Sequence, residues 1–252
     1  MRRRKFLLSV GAVGSMGVTG RRIAHPERTL NVKLWFSDRA AAYSGLWSRV
    51  EGYLRRAFED AHGDAVVEYG GTVSVTSERA YDLVVEGEWP RRLVEGAAGV
   101  GPVDPCDDVN LLVTDEPMTE WPTGAGIPHV AAVGGAAELA GLPPVGETEP
   151  VVSRTWGTYA LQVLLHECGH TIGLDHDHGS MRTVADGLVV SPMVSGYPWE
   201  TESVKSEHFD YDASVCGCRY VEPEGRDPRL LLQFDDCEAE RIRDYRGGVT
   251  PW

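Results

Sequence analysis

Three histidines and a glutamate, His166, Glu167, His170 and His176, stand in one short stretch with the types and spacing of a metal-assisted hydrolytic site. On a helix, residues four apart differ by about 40° around the axis, so the imidazoles of His166 and His170 can reach one ion. Glu167, one position on, points to the side. That placement suits a carboxylate that accepts a proton from activated water without binding the metal itself. Gly173 is the residue type that ends a helix in a left-handed conformation and turns the chain back. His176 then returns as the third ligand. Three neutral imidazoles suit Zn2+ and leave a fourth position for water, whose pKa falls to roughly 7 there.

Such a site needs a rigid helix. The run 155–172 supplies one, with Thr155 as N-cap. Leu161, Leu165, Cys168 and Ile172 form a stripe for the core, while Tyr159, Val163, His166 and His170 form a second stripe that can line a cleft. Upstream, 29–36 alternates apolar and polar residues as a strand, and 40–61 is an amphipathic helix stopped near Gly63. Further strands are predicted at 65–69 with 72–76, either side of a Gly70-Gly71 turn or bulge, and at 82–86. The segment 91–108 reads as a loop, 109–114 as a central strand covered on both faces, and 127–133 as a strand that Pro128 confines to a sheet edge. Beyond Asp177 the chain turns irregular, and only 235–245 again looks helical. The order of elements predicts an α+β domain with a mixed sheet and helices packed against it.

The stretch from His166 to His176, followed by Ser191-Pro192-Met193-Val194-Ser195-Gly196-Tyr197, resembles the metzincin clan of zinc endopeptidases, whose HExxHxxGxxH signature precedes a methionine turn beneath the metal. Met193 is the methionine of that turn. Gly169 and Asp177 are similar to the adamalysin branch, whereas Cys168 and the cysteine pattern depart from it and from archaemetzincins, so the resemblance stops at the clan. It implies a zincin-like α+β fold: a mixed, mostly parallel twisted sheet, an active-site helix, an N-terminal lobe over about 25–176 and a smaller irregular C-terminal lobe over about 177–252. It also implies a peptide or protein substrate. The strand before the helix would lie beside that peptide, making Gly126, His129, Val130 and Ala131 candidates for strand addition, although the segment reads equally well as an ordinary sheet edge. Ser195 and Tyr197 would stand in the wall of the pocket for the side chain beyond the scissile bond. Tyr197 lies four residues after Met193, where astacin-like relatives have an offset of two. A metal or oxyanion contact and plain pocket lining therefore both stay open.

Charge narrows the partners. With 38 acidic and 24 basic residues the formal net charge is −14, which disfavours nucleic acid and anionic membranes. Lys5, Lys33 and Lys205 are the only lysines, a balance that fits either a halophilic, haloarchaeal-like surface or a GC-rich genome. Arg3-Arg4-Lys5-Phe6-Leu7 resembles the twin-arginine export motif, and the mildly apolar run after it is too short to span a membrane. Residues 1–24 are accordingly read as a signal and 25–252 as a single catalytic domain, secreted or extracytoplasmic, monomeric and without stable membrane insertion. Too little chain separates signal and first strand for an inhibitory prodomain.

Of five cysteines, Cys168 faces away from the metal on the helix and is read as the free thiol. Cys216 and Cys218 are too close to bridge each other without strain, so each is expected to pair with Cys106 or Cys237. His25, His62, His178 and His208 read as ordinary surface or core groups, as does His129 outside its strand-addition role. The leading function is a zinc metalloendopeptidase with Glu167 as general base. The alternative is a non-catalytic peptide-binding or structural module on the same scaffold, which an intact Glu167 argues against.

Overall fold

The structure, a computed structural model, describes residues 29–208 and 212–247; the segment 1–24 read as an export signal, and His25, lie outside them. Alternation sets the first strand. Leu30, Val32, Leu34 and Phe36 turn one face of β1 (Leu30–Ser37) into the main core. Trp35, on the other face, packs edge-on against Trp89 at 5.9 Å between ring centroids. A strand covered on both faces belongs inside a sheet. β2 (Ala65–Val73) and β3 (Val109–Val113) flank β1, both parallel to it. β5 (Val130–Val133) runs parallel to β3, and β4 (Gly124–Ile127) pairs antiparallel with β5 to form the edge. The order is β2-β1-β3-β5-β4, a mixed and mostly parallel sheet. The Gly70-Gly71 pair lies inside the single strand β2, opposite a register shift at Leu34/Trp35, so the bulge reading holds.

One face of this sheet carries α1 (Leu46–His62), whose Val50, Leu54, Ala57 and Phe58 enter the core, together with α4 (Ala136–Ala140) and α5 (Trp156–Thr171). The other face carries two short helices that the sequence pattern had hidden. Residues 82–86 do not form a strand: α2 (Ala80–Val85) buries Ala80, Leu83 and Val84 at helical spacing, and a short apolar run reads equally as either element. Nor is 91–108 all loop, since α3 (Glu88–Ala97) buries Trp89 and Leu93 one turn apart and tolerates Pro90 in its first turn. The expected strand 127–133 is a hairpin, broken where His129 takes φ 69.

The C-terminal lobe is more regular than expected. β7 (Met181–Val184), β8 (Gly187–Val190) and β9 (Asp227–Leu231) join β6 (Val151–Ser153) in a second sheet ordered β6-β9-β8-β7. Strands this short, cut by Gly187 and Pro228, are too brief to show a period. Two helices complete the lobe, α6 (Glu202–His208) between β8 and β9 and α7 (Asp236–Asp244) after β9. With α7 the described residues hold seven α-helices, which completes an α+β architecture. The fully buried Gln162 of α5 donates to the Val190 carbonyl at 3.0 Å, tying the helix to the second sheet. Cys216 bridges Cys237. Cys106 and Cys218 are free and half-buried, so neither joins a second bridge, while Cys168 is free and buried as expected. No helix among the described residues is long and apolar enough to cross a membrane.

Candidate metal centre and adjoining cleft

Helix α5 is fixed at both ends by its own sequence. Thr155 accepts a hydrogen bond from the Thr158 amide at 3.2 Å while the Thr158 hydroxyl accepts one from the Thr155 amide at 2.8 Å, a reciprocal cap. At the other end Gly173 takes φ 87, the Leu174 amide bonds the Gly169 carbonyl at 3.0 Å and the Gly173 amide bonds the His170 carbonyl at 3.2 Å. These two bonds define a Schellman stop. It returns the chain toward its own last turn and places His176 beside His166 and His170.

The three imidazoles converge through their Nε2 atoms, 3.0 Å between His166 and His170 and 3.2 Å between His170 and His176. The Nδ1 atom of His166 donates to the Pro192 carbonyl at 2.9 Å, and that of His170 to the Leu174 carbonyl at 2.8 Å. Carbonyl oxygens only accept, so each of these Nδ1 atoms carries the hydrogen and each Nε2 presents a bare lone pair. Lone pairs 3.0 Å apart repel unless a cation lies among them. Protonating one ring would let it bridge its neighbour, but the surroundings oppose that. Burial, then the adjacent imidazoles, hold His166 well below its ordinary pKa; burial lowers His170; burial and His170 push His176 down to about 3. Neutral rings are what a metal requires. Three nitrogens ~2.0–2.1 Å from one tetrahedral zinc stand about 3.4 Å apart, close to the spacing found. The triad can hold a metal, and its donor set fits zinc.

The floor beneath the triad explains further residues. Met193 is fully buried, and its sulfur lies where a Cβ at Gly169 would project, so only glycine fits within that turn of α5. The Met193 amide and the Ser191 hydroxyl both donate to Glu238 Oε1, at 2.8 and 2.6 Å, and the Asp235 amide donates to Oε2 at 2.9 Å. Glu238, on α7, thus braces both sides of Pro192, the residue whose carbonyl orients His166. Burial and then the Asp235 charge push the Glu238 carboxyl up to about 8.

Glu167 follows His166 and points off the triad into a cavity of about 300 Å³. It is 8% exposed and accepts no hydrogen bond among the described residues; burial raises its pKa to about 8. A bound cation would draw that value down. The edge strand β4 lies directly over this part of α5: a Cβ at Gly124 would stand 3.0 Å from Glu167 Cγ, and one at Gly126 would stand 2.9 Å from His170 Cβ. Two glycines therefore let β4 press against the helix, while no strand among the described residues pairs with its outer edge.

Of the residues expected along the substrate, Gly126 is on that edge strand, and Ser195 and Tyr197 line the cavity. His129, Val130 and Ala131 are not brought to the cleft. Val130 and Ala131 belong to β5, buried between β3 and β4, and His129 is fixed in the turn, its amide on the Thr171 carbonyl at 3.0 Å. The Tyr197 ring packs 4.9 Å from His176 and 5.7 Å from His166. Burial, then Glu167, raises its phenol above the ordinary range. His208, read as an ordinary group, belongs to the site: it stacks on Tyr197 at 5.1 Å and 12°, stands 5.6 Å from His176 and lines the cavity. No local pattern marks His208, because α6 reaches the triad only through the tertiary fold.

No protein-family model matches the chain. No curated protein matches it either. Among solved structures, the chain is similar to an archaemetzincin from Methanopyrus kandleri at 18% identity and a TM-score of 0.41, over 85% of this chain and 95% of that one.

Proposed function

We propose that the protein is a zinc-dependent metalloendopeptidase, secreted through a twin-arginine-type signal and acting as a monomer on extended peptides. The observation that carries this reading is the convergence of three Nε2 atoms, those of His166 and His170 with free lone pairs, beside Glu167, a buried carboxylate without a hydrogen-bond partner that lines a cavity. His166, His170 and His176 would hold the ion through Nε2. When bound, zinc supplies a Lewis acid that polarises a carbonyl and makes water acidic near neutral pH.

The remaining work falls to the chain. The carboxylate of Glu167 takes a proton from the attacking water and gives it to the departing nitrogen. The unpaired edge of β4 offers amide and carbonyl groups to an extended peptide, which orients the scissile bond over Glu167. The cavity bounded by Ser195 and Tyr197 receives a neighbouring side chain. Pro192 and Leu174 hold two of the imidazoles in the ligating tautomer.

The test is Glu167→Ala on zinc-loaded protein. Zinc content should stay at the wild-type level while kcat for a mixed peptide library falls by about 10²-fold or more. Full activity with the alanine present would exclude Glu167 as the base. Bound zinc with no turnover by the wild type would point to the non-catalytic binding module.

A further inference from the structure

Next to Glu167 the cavity has an uncommon combination of walls. The rings of Trp121, Tyr159, Tyr197 and His208 line it together with Glu200 and Glu207, and the Glu200 charge acts on both Tyr159 and Tyr197. No lysine or arginine lines it. None of the described ion pairs or hydrogen bonds takes up either carboxylate; the lysine of α6, Lys205, pairs instead with Glu202 at 2.9 Å. Arg154 stacks on the Tyr159 ring with its Cζ 4.4 Å from the centroid, but it does not line the cavity.

Aromatic walls alone would suit any large apolar side chain. The carboxylates decide otherwise. Seating an apolar group against two unpaired anions strips their water and returns nothing, whereas a cation keeps them paired and gains attraction from the ring faces. A guanidinium is planar, weakly hydrated and able to stack on a ring while bonding carboxylate oxygens, so it fits both kinds of wall.

We infer that this cavity selects a basic side chain, arginine first and lysine second, at a substrate position flanking the scissile bond, with Glu200 and Glu207 as specificity-determining residues. The inference rests on the peptidase reading for its biological meaning. The preference itself belongs to the cavity and can be measured without turnover.

Citrulline supplies the control, being arginine's neutral isostere. Peptides identical except for arginine or citrulline beside the cleaved bond are compared by kcat/KM on the zinc-loaded protein. A reduced-amide pair of the same sequences is compared by Kd in calorimetry. Arginine is expected to be favoured about tenfold or more in both, and the Glu200→Gln/Glu207→Gln double variant should bring both ratios near one. Glu200 is half-buried and Glu207 exposed, so the variant is expected to fold, and the wild-type ratios stand whether it does or not. Ratios near one in the wild type overturn the inference. So does a preference that survives in the folded double variant. If no peptide is cleaved but the Kd ratio holds, the peptidase reading fails while the cavity's preference stands.

Discussion

Glu238 is where burial and hydrogen bonding pull in opposite directions, and a pH series on Glu238→Gln tells which prevails. The carboxyl is completely buried, which with Asp235 raises its pKa from an ordinary 4.5 to about 8. Three donors, Ser191, Met193 and Asp235, favour the ionised form. If burial prevails, the folded protein keeps a proton that the unfolded chain has released between pH 4.5 and 8. Stability contributed by this group is then fully present near pH 4.5 and is lost as pH rises through 8. At about 1.4 kcal/mol for each tenfold change in proton affinity, the loss is on the order of 5 kcal/mol. Glutamine has the same shape, keeps an acceptor for Ser191 and Met193, and does not titrate. Urea unfolding of metal-free wild type and Glu238→Gln at pH 5, 6, 7 and 8, at one ionic strength, yields a difference in which all other titrating groups cancel. The wild type is expected to lose ground steadily to the variant across that range, with unchanged urea slopes. A flat difference, or a wild type that gains with pH, would refute the reasoning and show that three donated bonds outweigh the desolvation of the charge.

His176→Ala removes one of three ligands and should weaken zinc binding by about 10²-fold or more, read by competition with a chromophoric chelator. Zinc at one hundred times its Kd should stabilise the wild type by about 2.7 kcal/mol, visible as a rise in Tm that His176→Ala loses. Gly169→Ala drives a methyl into the Met193 sulfur and should cost roughly 1–3 kcal/mol in urea unfolding, with Met193→Ala in the same chain recovering part of it. Cys216→Ser with Cys237→Ser opens a loop of sequence separation 21 and should cost about 3 kcal/mol; a loss below about 0.5 kcal/mol would mean that this bridge constrains little.

The three histidines, their helix and its stop were legible because each is written locally. A 3.6-residue period, a threonine cap and a glycine at the C-terminal turn act within a few residues of one another. What escaped the sequence acts across the fold. Glu238 reaches Met193 over 45 positions, and His208 meets Tyr197 through a short polar helix that buries nothing. His129 shows the opposite failure: its position before Val130 suggested an extended strand, but a positive φ bends the chain there and leaves only β4 at the cleft. Residues 82–86 failed for a third reason, since three consecutive apolar residues satisfy a strand and one turn of a buried helix alike.

The bond between Glu238 and the Met193 amide also orders events in time. A ribosome adding about 5–20 residues per second has made all three histidines roughly 3–12 s before it adds Glu238, 62 positions after His176. In that interval the nascent chain has its ligands but not the brace that steadies Pro192 against His166. Until α7 docks, the carbonyl that orients His166 is without the two bonds that Glu238 makes on either side of it. The geometry of the triad thus depends on a helix, α7, that is made well after the histidines themselves.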